Sequence, residues 1–367
     1  MPKVIVAGAG IAGLAAGIGF SRAGWEVEIL ERAPSMDAMG AALSIWSNGC
    51  AALSHLGALS QVAAAGAPIR SMLLADKHNR PILDRKISAQ ALLVTRSALQ
   101  NVLMQLLPRG VLKLDTIVSS ADGNGVYLAG GSRVVGDLVV NAGGIHSLNA
   151  ARGAPRYAGY GGVLALTEEI EGHGLNGVAA EYWGHNERFG VFELPAQRRY
   201  WFYMRTQPSD ATMPTLAECS AYARHWPASV REAVSATRSD ALVPFAVHAN
   251  RPPRTLCENS VISIGDAAHA MEPNLGQGAC QGLEDAAVLQ SLASSLQHYQ
   301  IAAAYEKHRL KRARMFVTES ARAKLGAHGP ALAQTVVRTL LRTIPRTILD
   351  HAILKIQTMP TLPGYVS

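Results

Sequence analysis

The order of apolar and polar positions along the chain marks out its elements before any chemistry is considered. Lys3–Ala7 is an apolar run of strand length. Three spaced glycines, Gly8, Gly10 and Gly13, then open a helical stretch that reaches about Ala23, where Gly24 stops it. A second strand, Trp25–Leu30, ends on an acid, Glu31. Far downstream, the strand-like run Val261–Ile264 ends abruptly in Gly265-Asp266. Pro273-Asn274-Leu275 and the glycines Gly276, Gly278 and Gly282 follow, and a helix is expected to start near Gly278. Between these landmarks, residues 118–144 read as a β-meander with turns at 122–125 and 130–131, and 188–205 as a hairpin rich in aromatics. From about residue 302 the period is helical. In 332–356 apolar residues at helical spacing have arginines between them, and Pro345 kinks or divides the segment. Such a basic amphipathic stretch can lie on a membrane surface. More often it packs on its own protein and presents its arginines to solvent, which is the expectation here.

Composition narrows the class. With 367 residues, 49% hydrophobic and 17% charged, the chain is long enough for two domains. Cys50, Cys219, Cys257 and Cys280 lie far apart with no CxxC or His pairing. That argues against a disulfide framework or a metal site and fits a reducing, cytoplasmic compartment. The net charge of +7 is scattered, with no basic run interleaved with aromatics, so nucleic acid is not an expected partner; attraction of an anionic small molecule explains the charge as well. Residues 4–20 lack charge, but the run is short for a spanning helix and glycine-rich, so no transmembrane segment is expected.

The glycines have a chemical reading. Gly8-x-Gly10-x-x-Gly13 between a strand and a helix, with Glu31 ending the next strand, is the pattern of a dinucleotide-binding unit. Gly8 makes the tight turn, Gly10 lets a pyrophosphate approach the backbone, and Gly13 lets helix and strand pack closely. The helix start, with Ile11 and Ala12, offers unpaired N–H groups to the phosphates. Glu31 would accept hydrogen bonds from the adenosine ribose and repel a 2′-phosphate; Arg32 joins it in the cofactor set.

This motif alone does not separate NAD from FAD. The stretches "VIVAGAGIAGLAAGIGFSRAGWEVEILER", "GAALSIWSNGCAALSHLG" (40–57), "VTRSALQNVL" (94–103) and "IGDAAHAMEPNLGQGACQGLEDAAVL" (264–289) resemble the FAD-dependent aromatic hydroxylases, the class A flavoprotein monooxygenases with the p-hydroxybenzoate hydroxylase fold. The resemblance is to the subgroup of salicylate, 3-hydroxybenzoate and urate hydroxylases, and covers at least residues 1–290. It implies an α/β fold: a Rossmann-type FAD-binding domain (1–68, 92–156 and 254–310) interleaved with a substrate domain built on an antiparallel sheet (69–91 and 157–253), plus C-terminal helices (311–367). It implies that Gly265 and Asp266 meet the ribityl chain, that Pro273, Gly276, Gln277 and Gly278 pass beside the isoalloxazine ring, and that Arg96 faces FAD. The segment 40–48, including Ala42 and Trp46, would run along the ring. The helix dipole starting at Gly278 would favour anionic reduced flavin by up to ~2 kcal/mol. The implied chemistry is reduction of FAD by NADH or NADPH, addition of O2 at flavin C4a as a hydroperoxide, and oxygen transfer to an electron-rich aromatic substrate. No side chain is assigned as catalytic, because the flavin carries the chemistry.

One position departs from the family. In "DLVVNAGGIHSLNAARG" (137–153) Gly143 stands where members carry an aspartate thought to serve both FAD and the nicotinamide, and Ala150, with Arg152 nearby, stands where they carry an arginine. This keeps open an epoxidase or oxidative cyclase on the same fold, its flavin reduced by a partner reductase, and, further off, a flavin-binding protein without turnover. For the substrate the hairpin offers Arg188, Arg198, Tyr200, Phe202, Tyr203 and Arg205. Strand alternation puts Arg198, Tyr200, Phe202 and Met204 on one face and Arg199, Trp201, Tyr203 and Arg205 on the other, and leaves open which set faces the flavin. His269 reads as a packed or capping residue rather than a ring contact, and His185 is a weaker candidate. Oligomeric state is left open.

Overall fold

The computed structural model describes residues 1–36, 41–147, 154–170 and 174–363; Gly40, Ala150 and Arg152 lie outside them. A six-stranded sheet runs β18 (Cys257–Glu258), β19 (Val261–Ser263), β12 (Leu138–Asn141), β1 (Lys3–Ala7), β2 (Glu26–Leu30), β8 (Leu112–Lys113). It is parallel except for β18 against β19. Val4–Ala7 are buried because helices cover one face and a small meander the other, which is why these strands read as continuous apolar runs. That meander is β9 (Val118–Asp122), β10 (Gly125–Leu128) and β11 (Arg133–Val135). The meander expected over 118–144, with its turns at 122–125 and 130–131, is formed by these three strands, and the segment 118–144 ends outside it. Its last strand, β12, has buried residues throughout and inserts into the parallel sheet between β1 and β19.

Helix α1 (Ile11–Arg22) packs across this sheet and against α8 (Gly278–Ala293). A three-stranded sheet, β3 (Ala42–Ile45), β7 (Leu92–Thr95) and β4 (Ala67–Pro68), lies beside α2 (Ser47–His55), α3 (Leu59–Ala65) and α4 (Arg96–Leu106). The second layer is a seven-stranded sheet in the order β17 (Val243–Ala249), β13 (Arg156–Leu166), β16 (Arg199–Thr206), β15 (Glu187–Glu193), β14 (Val178–Trp183), β5 (Ser71–Asp76), β6 (Pro81–Lys86). Its pairings are antiparallel with one exception: β14 and β5, from distant segments, run parallel. The outer face of the sheet buries Phe189, Trp201 and Tyr203 with Cys219, Trp226 and Val230 from α5 (Leu216–Ala223) and α6 (Ala228–Ser235). The inner face packs Tyr160, Leu164, Tyr200 and Met204 against Ala42, Trp46 and Cys280 of the nucleotide-binding half.

The boundary expected at 310/311 is not a structural break. Helix α9 is continuous from His298 to Ala323, about 39 Å long, and joins both halves. After the short α10 (Leu325–His328), Pro345 does divide the C-terminal segment, into α11 (Ala331–Thr343) and α12 (Arg346–Gln357). Val337 and Leu341 of α11 pack with Leu74, Ile82 and Trp183 at the edge of the large sheet. The chain then returns to the other half: Ser47 Oγ donates to the Gln357 carbonyl, Arg312 to those of Ile356 and Thr358, and Ser291 to that of Pro363. Among the described residues no helix is long and apolar enough to cross a membrane.

Candidate FAD and substrate site

Two helix starts converge on one cleft. Ala12, in the first turn of α1, touches the loop after β19 and the first turns of α8: a Cβ built on Gly265 or Gly282 would lie 2.8 or 3.0 Å from the Ala12 Cβ. Neither helix has a side-chain cap or an acid in its first turn, so both present unneutralised N–H dipoles to the same place. The glycines fall into two kinds. Gly8 and Gly13 are required by the protein itself. A Cβ on Gly8 (φ +109°) would sit 2.5 Å from the Ala142 carbonyl oxygen, and one on Gly13 2.0 Å from that of Gly8. At Gly10 and Gly278 a Cβ would meet no other part of the protein within 4 Å among the described residues, and neither has positive φ. Packing does not demand glycine there, and both leave open space beside the backbone.

The remaining cofactor candidates frame the cleft. Glu31 accepts from the N–H groups of Ala9 (2.7 Å) and Ala33 (2.9 Å), tying the glycine turn to the end of β2. Arg32 is exposed. Arg96 is exposed at the first position of α4, where its charge opposes the helix dipole, and it has no side-chain partner among the described residues. Asp266 is exposed between buried neighbours, likewise without a side-chain partner. Pro273 and Gly276 are exposed on the loop before α8, Gly276 in the left-handed region. Ala42 is buried in β3 opposite Thr95.

The side chain of Gln277 turns inward. Its Oε1 accepts from Asn48 Nδ2 at 2.8 Å, leaving only its backbone for a ligand. The same buried network holds Glu284 against Asn48, Arg309 and Arg312, and Asp285 against Arg309 (2.7 Å) and His269 (2.7 Å). Burial pushes both carboxyls up, but the guanidiniums of Arg309 and, for Glu284, Arg312 outweigh it and hold them below the usual carboxylate range. His269 is the packed histidine expected, serving the α8–α9 junction.

The structure decides which face of the hairpin meets the cleft. Tyr200, Phe202 and Met204 point inward, toward Trp46 and Cys280, and Arg188 is on the same side. Tyr203 and Arg205 are corrected as substrate candidates. Tyr203 donates to Glu187 on the outer face and stacks on Phe189, and Arg205 is engaged by Gln207 and Tyr222. Arg198 sits half-exposed in the hairpin turn, and His185 is exposed beside Asn186. Arg188 is buried: Nη1 donates to Glu181 (2.9 Å) and Nη2 to Asn274 (2.7 Å), its carbon centre is 5.7 Å from the Tyr160 ring and 5.5 Å from that of Phe202, and Nε has no partner among the described residues. Burial alone would lower its pKa, but Glu181, together with Tyr160 and Glu272, more than offsets this and holds it above the usual arginine range. Tyr200 is raised by the same burial.

Sequence reasoning missed the residues that position Arg188. Asn274 belongs to the Pro273–Gly276 loop and is fixed by the Ser320 carbonyl; Tyr160 lies 3.1 Å from Glu272, which Lys324 also pairs at 3.2 Å. Tyr160 stacks on His328 at 4.2 Å, and burial, then Arg188 and Lys324, depresses His328 to about 3. The flavin-edge loop, the large sheet and α9 are thus joined by one cluster. Glu272 and Asn274 lay in a recognised motif; Tyr160, Lys324 and His328 did not.

Gly143 follows β12 with its N–H donating to Asn141 Oδ1 (3.2 Å), while Asn141 Nδ2 reaches Ser147 (3.3 Å). A neutral amide therefore closes the turn where the family places an acid. No cluster able to hold a metal exists among the described residues. The open cradles at Gly10 and Gly278, under two acid-free helix starts, fit an anionic dinucleotide with a flat ring system.

Comparison with known proteins agrees. The family model described as the FAD binding domain matches residues 1–320. The aurachin C monooxygenase/isomerase of Stigmatella aurantiaca is 33% identical over 370 residues, covering 95% of each chain. The FAD-dependent urate hydroxylase of Klebsiella pneumoniae is 29% identical over 357 residues, covering 91% of this chain and 92% of the relative. Klebsiella pneumoniae HpxO, solved with FAD and uric acid, superposes with a TM-score of 0.88 at 25% identity, covering 97% of this chain and 96% of that one.

Proposed function

The chain belongs to the FAD-dependent aromatic hydroxylase family and is an FAD-dependent monooxygenase, and from that premise we propose how its residues divide the work. The pyrophosphate lies on Gly10 and the α1 start, with Arg96 as counter-charge and Glu31 at the adenosine ribose. Asp266 meets the ribityl chain, and the Pro273–Gly278 turn flanks the ring. Bound there, FAD supplies electron transfer from NADH or NADPH and the activation of oxygen. The protein supplies position and dryness. Its inner sheet face, with Leu164, Phe192, Tyr200 and Phe202, walls off water beside the ring. Arg188 is proposed to hold an anionic or carbonyl oxygen of the substrate, its unpartnered Nε being the spare donor. The urate hydroxylase relatives favour a heteroaromatic ring over a simple benzoate.

The observation that carries this reading is the pair of glycines, Gly10 and Gly278, whose missing Cβ atoms clear space that no protein atom uses. The test is anaerobic reduction of the FAD-loaded protein by NADH or NADPH, followed by visible absorption, with a panel of aromatic and heteroaromatic acids. Bleaching accelerated by one ligand is expected. A flavin that stays oxidised with both nucleotides would defeat the self-sufficient enzyme. A second reading, oxygenation coupled to rearrangement with a separate reductase, has specific support: Gly143 in place of the acid, and a relative named as monooxygenase/isomerase.

A further inference from the structure

Trp46 carries a buried donor that the protein leaves unpaired. The residue sits between β3 and α2, only 6% exposed, and its Nε1 has no hydrogen-bond partner among the described residues. Other indoles of the chain are satisfied. Trp25 donates to the Ala293 carbonyl (3.2 Å), Trp183 to Glu181 (2.6 Å) and Trp201 to Thr237 (2.8 Å). A buried indole N–H ordinarily finds an acceptor, because removing it from water without one is unfavourable. Gly276, at the end of the Pro273–Leu275 turn, shows where this one points. A Cβ built on Gly276 would lie 3.0 Å from Trp46 Nε1, with Cε2 of the same indole and Ser44 Cβ next, both at 3.8 Å. The nitrogen edge of the indole therefore faces the turn. Gly276 is itself exposed, with φ +60°, and its lack of a side chain leaves that edge uncovered.

A second donor of the same kind stands at the turn. Asn274 accepts from Nη2 of Arg188 at 2.7 Å, while Nε of Arg188, like Nε1 of Trp46, is unpartnered among the described residues. Both side chains belong to the inner side of the large sheet. Trp46 packs with Leu164, Tyr200 and Met204, and Arg188 lies over the Phe202 ring. We propose that Trp46 Nε1 is a substrate-recognition donor. With Arg188 it selects a flat ring carrying two separate acceptors, such as two ring carbonyls, over a ring with a single anionic head. The substrate is the occupant rather than the flavin, because the indole packs on the wall formed by the sheet. The proposal rests on the placement of the flavin ring beside the Pro273–Gly278 turn.

Trp46→Phe removes the N–H and keeps an aromatic body. The FAD-loaded wild type and variant are titrated with uric acid and 2,4-dihydroxyquinoline, each a ring with two acceptor positions, and with benzoate, which has only its carboxylate. The flavin spectrum reads binding. The variant should bind both two-acceptor rings about tenfold more weakly, the effect of one lost hydrogen bond, and benzoate unchanged. Its flavin content and ligand-free flavin spectrum should match the wild type. The indole N–H resonances of the wild type read the same contact without a variant: of the five tryptophan signals, that of Trp46 should move downfield with uric acid and stay with benzoate. Undiminished binding of the two-acceptor rings by Trp46→Phe, an equal loss for benzoate, or an unmoved Trp46 signal overturns the proposal. A ligand-free flavin spectrum altered by Trp46→Phe does so too, since the donor would then serve the flavin, as does a loaded wild type that responds to neither two-acceptor ring. A wild-type chain that takes up no FAD overturns instead the placement of the flavin on which the proposal rests.

Discussion

Gly10→Ala separates the demands of the fold from those of the ligand. Gly10 is the N-cap of α1 with φ −65° and ψ 176°, a conformation open to alanine, and the new Cβ would meet no other part of the protein within 4 Å among the described residues. Restricting the unfolded chain should stabilise the apoprotein by ~0.4–1 kcal/mol. Alanine is a poorer N-cap than glycine by a similar amount, so the two effects nearly cancel. An unfolding entropy of ~2.1 cal/mol/K per residue over 367 residues gives ~0.8 kcal/mol/K, so the apoprotein melting temperature should move by no more than about 1 °C. The cofactor should respond quite differently. If the pyrophosphate lies on this backbone, the methyl displaces it from one or two charge-assisted hydrogen bonds worth ~1.5–3 kcal/mol each, a loss of at least about tenfold in affinity. The assay pairs calorimetric melting of deflavinated protein with FAD titration by quenching of flavin fluorescence. Gly13→Ala is the control: its Cβ would lie 2.0 Å from a backbone oxygen, so it should damage the apoprotein itself. Wild-type FAD affinity in a folded Gly10→Ala protein would refute the phosphate placement.

Arg309→Met leaves Glu284 and Asp285 short of their shared cation and should cost ~3–5 kcal/mol, about 4–6 °C in melting temperature. The two carboxyls are depressed in the wild type, so their stabilisation is present above the usual carboxylate range and is lost as pH falls. In the variant, burial raises Asp285 instead, so the deficit should shrink between about pH 7 and pH 4 in paired melts. Arg188→Gln should weaken substrate binding at least about tenfold with FAD retained, whereas Tyr203→Phe and Arg205→Gln should change it less than about twofold; the ligand-induced flavin spectrum reads both. Gly143→Asp requires small shifts, since its Cβ would lie 3.1 Å from the Ser147 Cβ. It should speed anaerobic reduction by NADH, and an unchanged rate constant would show that the acid is not what limits that step.

The legible parts of the sequence were those where backbone geometry dictates residue type. Gly8 and Gly13 are glycine because carbonyl oxygens crowd them, so the first strand–turn–helix unit could be read from spacing; Gly265, crowded by Ala12, was placed only through the family resemblance. The strand alternation of 198–205 gave two correct faces but no direction, because both are aromatic and both are buried; only the helices behind Trp201 and Tyr203 decide. The pairing of Arg188 with Asn274 joins residues 86 apart, and no local pattern encodes it. For α11 the periodicity was right, but a single amphipathic face was assumed, and the outer row of Leu332, Val336 and Leu340 showed itself only through exposure.

The order of strands in the parallel sheet also sets a timetable. β1 and β2 pair with each other at once, and β12 joins β1 on the other side, but β12 must wait for β19. About 120 residues separate Leu138 from Val261, which at a ribosomal rate of ~5–20 residues per second is a delay of ~6–25 s. Throughout it the outer edge of β12 is an unpaired template for any neighbouring strand. Helix α8, which completes the cradle, emerges later still. Nascent chains are therefore exposed to aggregation at the stage when FAD cannot yet protect them by binding, and the protective effect of flavin supply is confined to nearly finished chains.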